Sequence, residues 1–300
     1  MLSKVIYIQE THIRNYFLIR QYIVVLLIFS ILISAPAVIS SRMTYSPKFA
    51  GDVVENCDAN NLVDNPCEFN YGGKDVILIG DSHATAFVEV LRRAASESKS
   101  RLFVWTQNGC KYVNVSLLSN SQMKMYNEIN ECRKRNTSFE KFLLEHKSSL
   151  VFISWRPQSC KDDNYFLGLC GNDFRSLIFK SVQTLAERVQ TLYVIGPAPE
   201  FENDRLLADR GLIQKSIDYP ERYGKSELKE RPMLDEIFLS SQEIFPYKYI
   251  SLFSNLCDSN YVNCLFRNGK NYVYKDNNHI SLWGSMLFFP IFQELLIQQD

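Results

Sequence analysis

Val76-Ile77-Leu78-Ile79-Gly80-Asp81-Ser82-His83 is an apolar run that stops at a glycine and then presents a hydroxyl. A buried parallel strand that ends in a small-residue turn puts the next side chains at the carboxyl edge of a sheet, where open α/β folds bind ligands. A serine alone is a weak nucleophile. It needs an adjacent base, and the base needs an orienting group. Nearly two hundred residues later the chain offers both, in Asp276-Asn277-Asn278-His279.

On either side of the Ser82 turn, short β-branched runs alternate with longer amphipathic stretches. The pattern predicts strands at Asp75–Ile79, Leu102–Thr106, Leu150–Ser154, Leu192–Ile195 and Tyr247–Ser251. It predicts helices at Ala84–Ser98, Ser121–Glu145, Asp173–Gln190, Lys225–Glu243 and Leu282–Gln298. Alternation of this kind implies an α/β fold, with a mainly parallel five-stranded sheet and helices on both faces. There is no internal repeat and no low-complexity tract. The charged, irregular stretch from Phe201 to Arg231 is the candidate for a mobile loop over the site.

The 300 residues are 46% apolar, enough for a sizeable core, and carry a formal net charge of zero, which argues against a nucleic-acid footprint. None of the eight cysteines sits in a C-x-x-C pair, so a zinc ribbon or thioredoxin-type site is not indicated. Cys57 and Cys67, Cys160 and Cys170, and Cys257 and Cys264 fall in short local pairs in loop-like sequence, leaving Cys110 and Cys132. An even number of loop cysteines suggests disulfides and an oxidising compartment, without choosing their connectivity; the alternative is a set of free buried thiols.

Tyr22 to Ile39 is almost wholly apolar and extends back through Tyr16-Phe17-Leu18-Ile19. About 18 to 20 apolar residues cross a bilayer. Lys4, Arg14 and Arg20 precede the run, which favours a cytosolic N-terminus and an outward C-terminal portion. The expected organisation is therefore a cytosolic segment 1–15, a transmembrane anchor 16–39, a luminal linker 40–73 and one domain over 74–300. A signal peptide cleaved near Ala35-Pro36-Ala37 is one alternative, and the last transmembrane helix of a larger protein is another. The outward topology exposes two glycan acceptors, Asn114-Val115-Ser116 and Asn136-Thr137-Ser138.

Each chemical candidate has a plainer reading. Ser82 could be a helix N-cap. His83 adjoins it in sequence and is poorly placed to act as its base. His12 lies across the expected membrane, and His146 ends a helix where a cation suits the dipole and reads as a surface residue. That leaves His279, three residues after Asp276 in a polar turn leading into an apolar helix. The spacing lets the carboxylate fold back onto one ring nitrogen while the other faces outward. The plainer reading is a capping turn, with Asn277, Asn278 or Ser281 as the cap.

Gly80-Asp81-Ser82-His83-Ala84 and Asp276-x-x-His279-Ile280-Ser281-x-x-Gly284 resemble blocks one and five of SGNH (GDSL-like) hydrolases. The His-Ala after the serine is similar to the SGNH domain appended to membrane-bound acyltransferases of the acyltransferase-three family. Gly109-Cys110, Ser154-Trp155-Arg156 and Ile195-Gly196-Pro197-Ala198-Pro199 fit that subgroup at the ends of the second, third and fourth strands. The resemblance runs from about Lys74 to the C-terminus. It implies a three-layer α/β/α fold and ester chemistry on acylated sugars or related hydroxyls. No cofactor or metal is implied, and the partners are the membrane and an acyltransferase module. By position, Ser82 is the nucleophile, His279 the base and Asp276 its orienter, with the amides of Ser82 and Gly109 as oxyanion donors. One departure is plain: where SGNH hydrolases place an asparagine after the third strand, this chain has Trp155, with a single N–H donor, and then Arg156. Arg156 either supplies charge to the site or pairs with a surface acid.

The expected function is an O-acyltransferase or esterase that moves a short acyl group, acetyl foremost, through an acyl-Ser82 intermediate, on the luminal or extracellular side of a membrane. The competing class is a non-catalytic SGNH scaffold that binds a glycan or a partner protein. The missing asparagine raises that alternative, while intact Ser82, Asp276 and His279 argue against it.

Overall fold

In a computed structural model of the chain, the described residues are 65–147, 149–156, 167, 171–200, 222–224, 233–258, 263–268, 271–276 and 278–298. The expected anchor at 16–39, most of the linker, Cys57, Cys160, Cys170 and nearly all of the 201–231 loop lie outside them. Among the described residues no helix is long and apolar enough to cross a membrane.

The strands are β1 (Cys67–Asn70), β2 (Asp75–Gly80), β3 (Arg101–Thr106), β4 (Leu150–Ser154), β5 (Thr191–Ile195), β6 (Arg222–Gly224), β7 (Tyr247–Ile250), β8 (Asn263–Leu265), β9 (Arg267–Asn268) and β10 (Asn271–Tyr272). The main sheet has six strands in the order β1-β3-β2-β4-β5-β7. The five expected strands are all there and all parallel. The sixth is an addition: the last residues of the expected linker form β1, which pairs antiparallel with β3 and closes that edge. Two small antiparallel pairs, β6 with β8 and β9 with β10, lie outside the main sheet.

Topology fixes where a site forms. After β1 at the edge, the parallel part starts inside the sheet with β2, adds β3 on one side and then crosses to β4 on the other. β2 is thus the switch point of the sheet, and its carboxyl end opens into the crevice between diverging connections. The register is level there, with Gly80 opposite Thr106 on one neighbour and Ser154 on the other.

The helices are α1 (Ser82–Thr85), α2 (Val88–Glu97), α3 (Asn120–Glu128), α4 (Asn130–Glu145), α5 (Gly171–Ala186), α6 (Met233–Ser241), α7 (Leu252–Leu256), α8 (Leu282–Met286) and α9 (Phe289–Ile297). Alternate residues of β2 face opposite layers, as the pleat requires. Val76 and Leu78 join a core with α2 and α9, through Val90, Leu91, Phe288, Phe292 and Leu296. Ile77 and Ile79 join a second core with α4 and α5, through Phe139, Leu143, Ile178 and Val182.

Three of the expected helices are broken. The stretch after Ser82 divides into α1 and α2, the stretch before Glu145 into α3 and α4, and the C-terminal one into α8 and α9. The last break has a covalent cause: Pro290 has no N–H to donate and sits in the first turn of α9. The break before α4 falls at Ile129, whose backbone (φ −87°, ψ 62°) leaves the helical region.

Two disulfides join described cysteines, Cys110 to Cys132 and Cys257 to Cys264. Cys67 is disulfide-bonded as well, and no described cysteine is free.

Candidate active site

The nucleophile turn is built by what cannot be larger than glycine. Gly80 has φ +152°, and a Cβ there would lie 1.8 Å from the Ser154 carbonyl oxygen and 2.6 Å from the Ala84 side chain. The chain therefore turns tightly against β4 and starts α1 at Ser82. Asp81, not Ser82, is the N-cap: its Oδ1 accepts from the His83 amide at 2.9 Å. The serine hydroxyl is thus released from capping.

Asp81 does more than cap. Its Oδ2 accepts from the Arg156 amide at 2.9 Å and faces Lys111 Nζ at 3.2 Å. One carboxylate, 1% exposed, thereby fastens the ends of β2, β3 and β4 together. Burial pushes its pKa up, but Lys111, His83 and the two donated amides outweigh that and hold it below the usual carboxylate range.

The base arrives on a second turn. Tyr274 and Ile280 form an antiparallel bridge, with Lys275 N donating to His279 O at 2.8 Å and Ser281 N to Val273 O at 2.8 Å. Inside this loop Asp276 Oδ1 accepts from the amides of Asn278 (3.0 Å) and His279 (2.7 Å). Its Oδ2 lies 2.8 Å from His279 Nδ1, and His279 Nε2 lies 2.8 Å from Ser82 Oγ. With the proton on Nδ1, where Asp276 accepts it, Nε2 is left to accept from the serine hydroxyl. Burial raises the Asp276 carboxyl pKa, but the bonds from the His279 ring and the two amides bring it down to about 2. The capping reading of this turn also holds, on Ser281, the third of its named candidates: Ser281 Oγ accepts from Gly284 N at 3.0 Å and caps α8. Gly284 is required because a Cβ would lie 2.1 Å from the Val273 carbonyl oxygen.

His83 points into the interior beside the base. Its ring centroid is 4.9 Å from that of His279, and its buried Nε2 has no hydrogen-bond partner among the described residues. Burial lowers its pKa to about 3, against the opposing pull of Asp81. The imidazole is therefore neutral at ordinary pH.

The remaining candidates separate. Gly109 has φ +71° with open space where a Cβ would be, so the backbone angle, not crowding, selects glycine there. Its loop follows β3, and Gln107 N donates to the Gly80 carbonyl at 3.1 Å. Trp155 is 5% exposed and packs into the core, its ring 5.6 Å from Phe238. Arg156 pairs with an acid: its Nε and Nη2 reach the two oxygens of Glu200 at 3.0 and 3.3 Å. That acid is buried, not a surface group.

The two glycan acceptors differ. Asn114 is half-buried, with its Oδ1 accepting from the Ser116 amide and hydroxyl. Asn136 is corrected: it is fully buried, and its Nδ2 donates to the Lys111 carbonyl (3.0 Å) and Tyr126 Oη (2.7 Å), leaving no nitrogen for a sugar in the folded domain. His146, expected at the surface, stacks on Phe142 and pairs with Asp75 at the opposite end of the sheet. Among the described residues no three His, Cys, Asp or Glu side chains converge as a metal site requires.

Sequence reasoning missed Arg135. It is 0% exposed and bonds three main-chain carbonyls at the carboxyl edge. A signal was present: with Cys132, Phe139 and Leu143, Arg135 shares the buried stripe of α4 at helical spacing. A charge inside an apolar stripe marks an interior polar contact.

A family model described as "SGNH domain (fused to AT3 domains)" matches residues 54–294. Among solved structures, the chain is similar to the lipopolysaccharide acetyltransferase periplasmic domain of Salmonella ser. Paratyphi A, with a TM-score of 0.54 and 20% identity. The match covers 75% of this chain and 85% of that one. No match is found among curated proteins.

Proposed function

The chain belongs to the family of SGNH domains fused to AT3 domains, and on that premise we propose that it is a serine-dependent O-acyltransferase or esterase. It moves a short acyl group, acetyl foremost, on the hydroxyls of a carbohydrate. One observation carries the reading: the unbroken relay Ser82 Oγ–His279 Nε2 and His279 Nδ1–Asp276 Oδ2, each 2.8 Å, at the switch point of the sheet.

In this scheme Ser82 Oγ attacks the acyl carbonyl while its proton passes to His279 Nε2. The imidazolium so formed is held by Asp276, a carboxylate that stays ionised down to about pH 2. The tetrahedral intermediate collapses to acyl-Ser82 as Nε2 returns the proton to the leaving alcohol. A second hydroxyl, or water, then repeats the steps in reverse. The amides of Ser82 and Gly109 are the oxyanion donors, each worth about 3 kcal/mol of barrier. Arg156, engaged by Glu200, lends charge to the rim without a free fork.

The carbohydrate acceptor and an outward-facing domain are supported by the fold likeness to a periplasmic lipopolysaccharide acetyltransferase domain. The fusion named in the family description supports a membrane acyltransferase module as partner, with residues 16–39 as anchor and 40–73 as linker.

The test compares the full chain in detergent with Ser82→Ala. Turnover of a small acetyl ester is expected to fall by about a thousandfold or more in the variant, and a fluorophosphonate is expected to label Ser82 only in the parent. Equal inactivity with no labelling would overturn the enzyme and leave a glycan- or protein-binding scaffold. Acetyl transfer to an added sugar, against release as acetate, separates transferase from esterase.

A further inference from the structure

Arg135 is a buried charge with no carboxylate bonded to it among the described residues. Its Nη1 donates to the carbonyls of Gly80 (2.8 Å) and Trp105 (3.0 Å), and its Nη2 to the Cys110 carbonyl (3.1 Å) and Asn136 Oδ1 (3.1 Å). Its Nε has no hydrogen-bond partner among the described residues. Burial lowers its pKa to about 10, with Tyr126 and Asp81 acting the other way, so it stays cationic at neutral pH. Burying a cation is costly, and carbonyl bonds offset that cost only in part. A helix that needed only to fill this space would do better with an apolar residue of the same size.

What those carbonyls have in common is their place. Gly80 is two residues before Ser82, Trp105 is next to last in β3, and Cys110 follows Gly109 directly. The same stretch is fastened a second time by the Cys110–Cys132 disulfide, which joins the loop to α4 three residues before Arg135. It is fastened a third time by Lys111, which reaches Asp81. The planar guanidinium is the side chain that spans several acceptors in fixed directions; an ammonium is a point charge and does not.

We infer that Arg135 is the positioning residue of the oxyanion hole: its guanidinium locks the turn that carries the Ser82 amide and the loop that carries the Gly109 amide into one geometry. It touches no substrate and acts through those two amides. The inference rests on the proposed acyl-serine chemistry for its effect on rate, but not for its effect on the loop.

The experiment uses the full chain and Arg135→Lys, with Arg135→Met as the uncharged control. Ester turnover, labelling of Ser82 by a fluorophosphonate, thermal unfolding and amide hydrogen exchange over residues 107–111 are measured on each. The expected result for Arg135→Lys is a folded protein with kcat lowered about tenfold or more, KM changed by less than about twofold, and labelling slowed in parallel. Its pH–rate midpoint should stay in place, because the Ser82–His279–Asp276 relay is untouched, and exchange over 107–111 should quicken. Two results would overturn the inference: parent-like kcat in the lysine variant, or a rate loss that tracks only the unfolded fraction while exchange over 107–111 stays unchanged. If Ser82→Ala shows no serine chemistry at all, the functional reading falls separately. Exchange then decides the clamp by itself, and parent-like protection of 107–111 in both variants overturns it. If Arg135→Met does not fold, the lysine variant alone decides.

Discussion

Two histidines stand side by side at the site, and their surroundings give them opposite tasks. His279 is half-buried, held by Asp276 and opposite Ser82. Asp276→Asn should keep the fold and lower kcat by about a thousandfold or more, because an amide favours the wrong ring tautomer; steady-state ester kinetics check this. His83 is enclosed and neutral. Unfolded, its imidazole takes up a proton near 6.5, whereas folded it resists until about 3. Between those limits the unfolded chain binds more protons. Its contribution to stability is therefore complete above pH 6.5 and drains as pH falls toward 3, by about 1.4 kcal/mol per pH unit. Urea unfolding of the parent and His83→Gln at about pH 7, 5 and 4 should show the variant losing less on acidification. Parallel losses would contradict the buried-neutral assignment.

Among the elements, β2 with its turn is the least tolerant. Gly80→Ala would drive a Cβ into the Ser154 carbonyl, and a loss of about 2–4 kcal/mol in unfolding free energy is expected, with ester turnover falling further than stability alone explains. The Cys110–Cys132 bridge closes a separation of 22 residues. Replacing both cysteines by alanine should lower stability by about 3 kcal/mol, read by thermal melting of the non-reduced protein. The five parallel strands were legible in the sequence because each is a short run rich in aliphatic and aromatic residues, four of them buried on both faces and the edge strand β7 exposing only Lys248. β1 was not, because Cys67-Glu68-Phe69-Asn70 becomes a strand only through its pairing with β3. The relay was legible because its chemistry sits in two short turns with fixed spacing. Arg135 and the Asp81 contacts were hidden, since each joins segments 25 to 75 residues apart in the chain. The burial of Trp155 was hidden for a related reason: a residue's position after a strand does not say which layer receives its side chain.

On the scale of the whole molecule, the two sequons forecast an uneven outcome. When the chain is made in a glycosylating secretory pathway, peptide mapping should find sugar at Asn114 and none at Asn136, which the folded interior holds by its own amide nitrogen. Glycan on Asn136 in folded, active protein would refute its assignment to the interior.

The relay joins residues 197 positions apart, and that separation has a consequence for the order of synthesis. A growing chain exposes its reactive hydroxyl early. The imidazole that the proposed chemistry pairs with it emerges much later, just ahead of Gly284 and the closing helices. Under the proposed chemistry, a nascent or prematurely terminated polypeptide is therefore silent: it carries an alcohol with no base, and turnover waits for those helices.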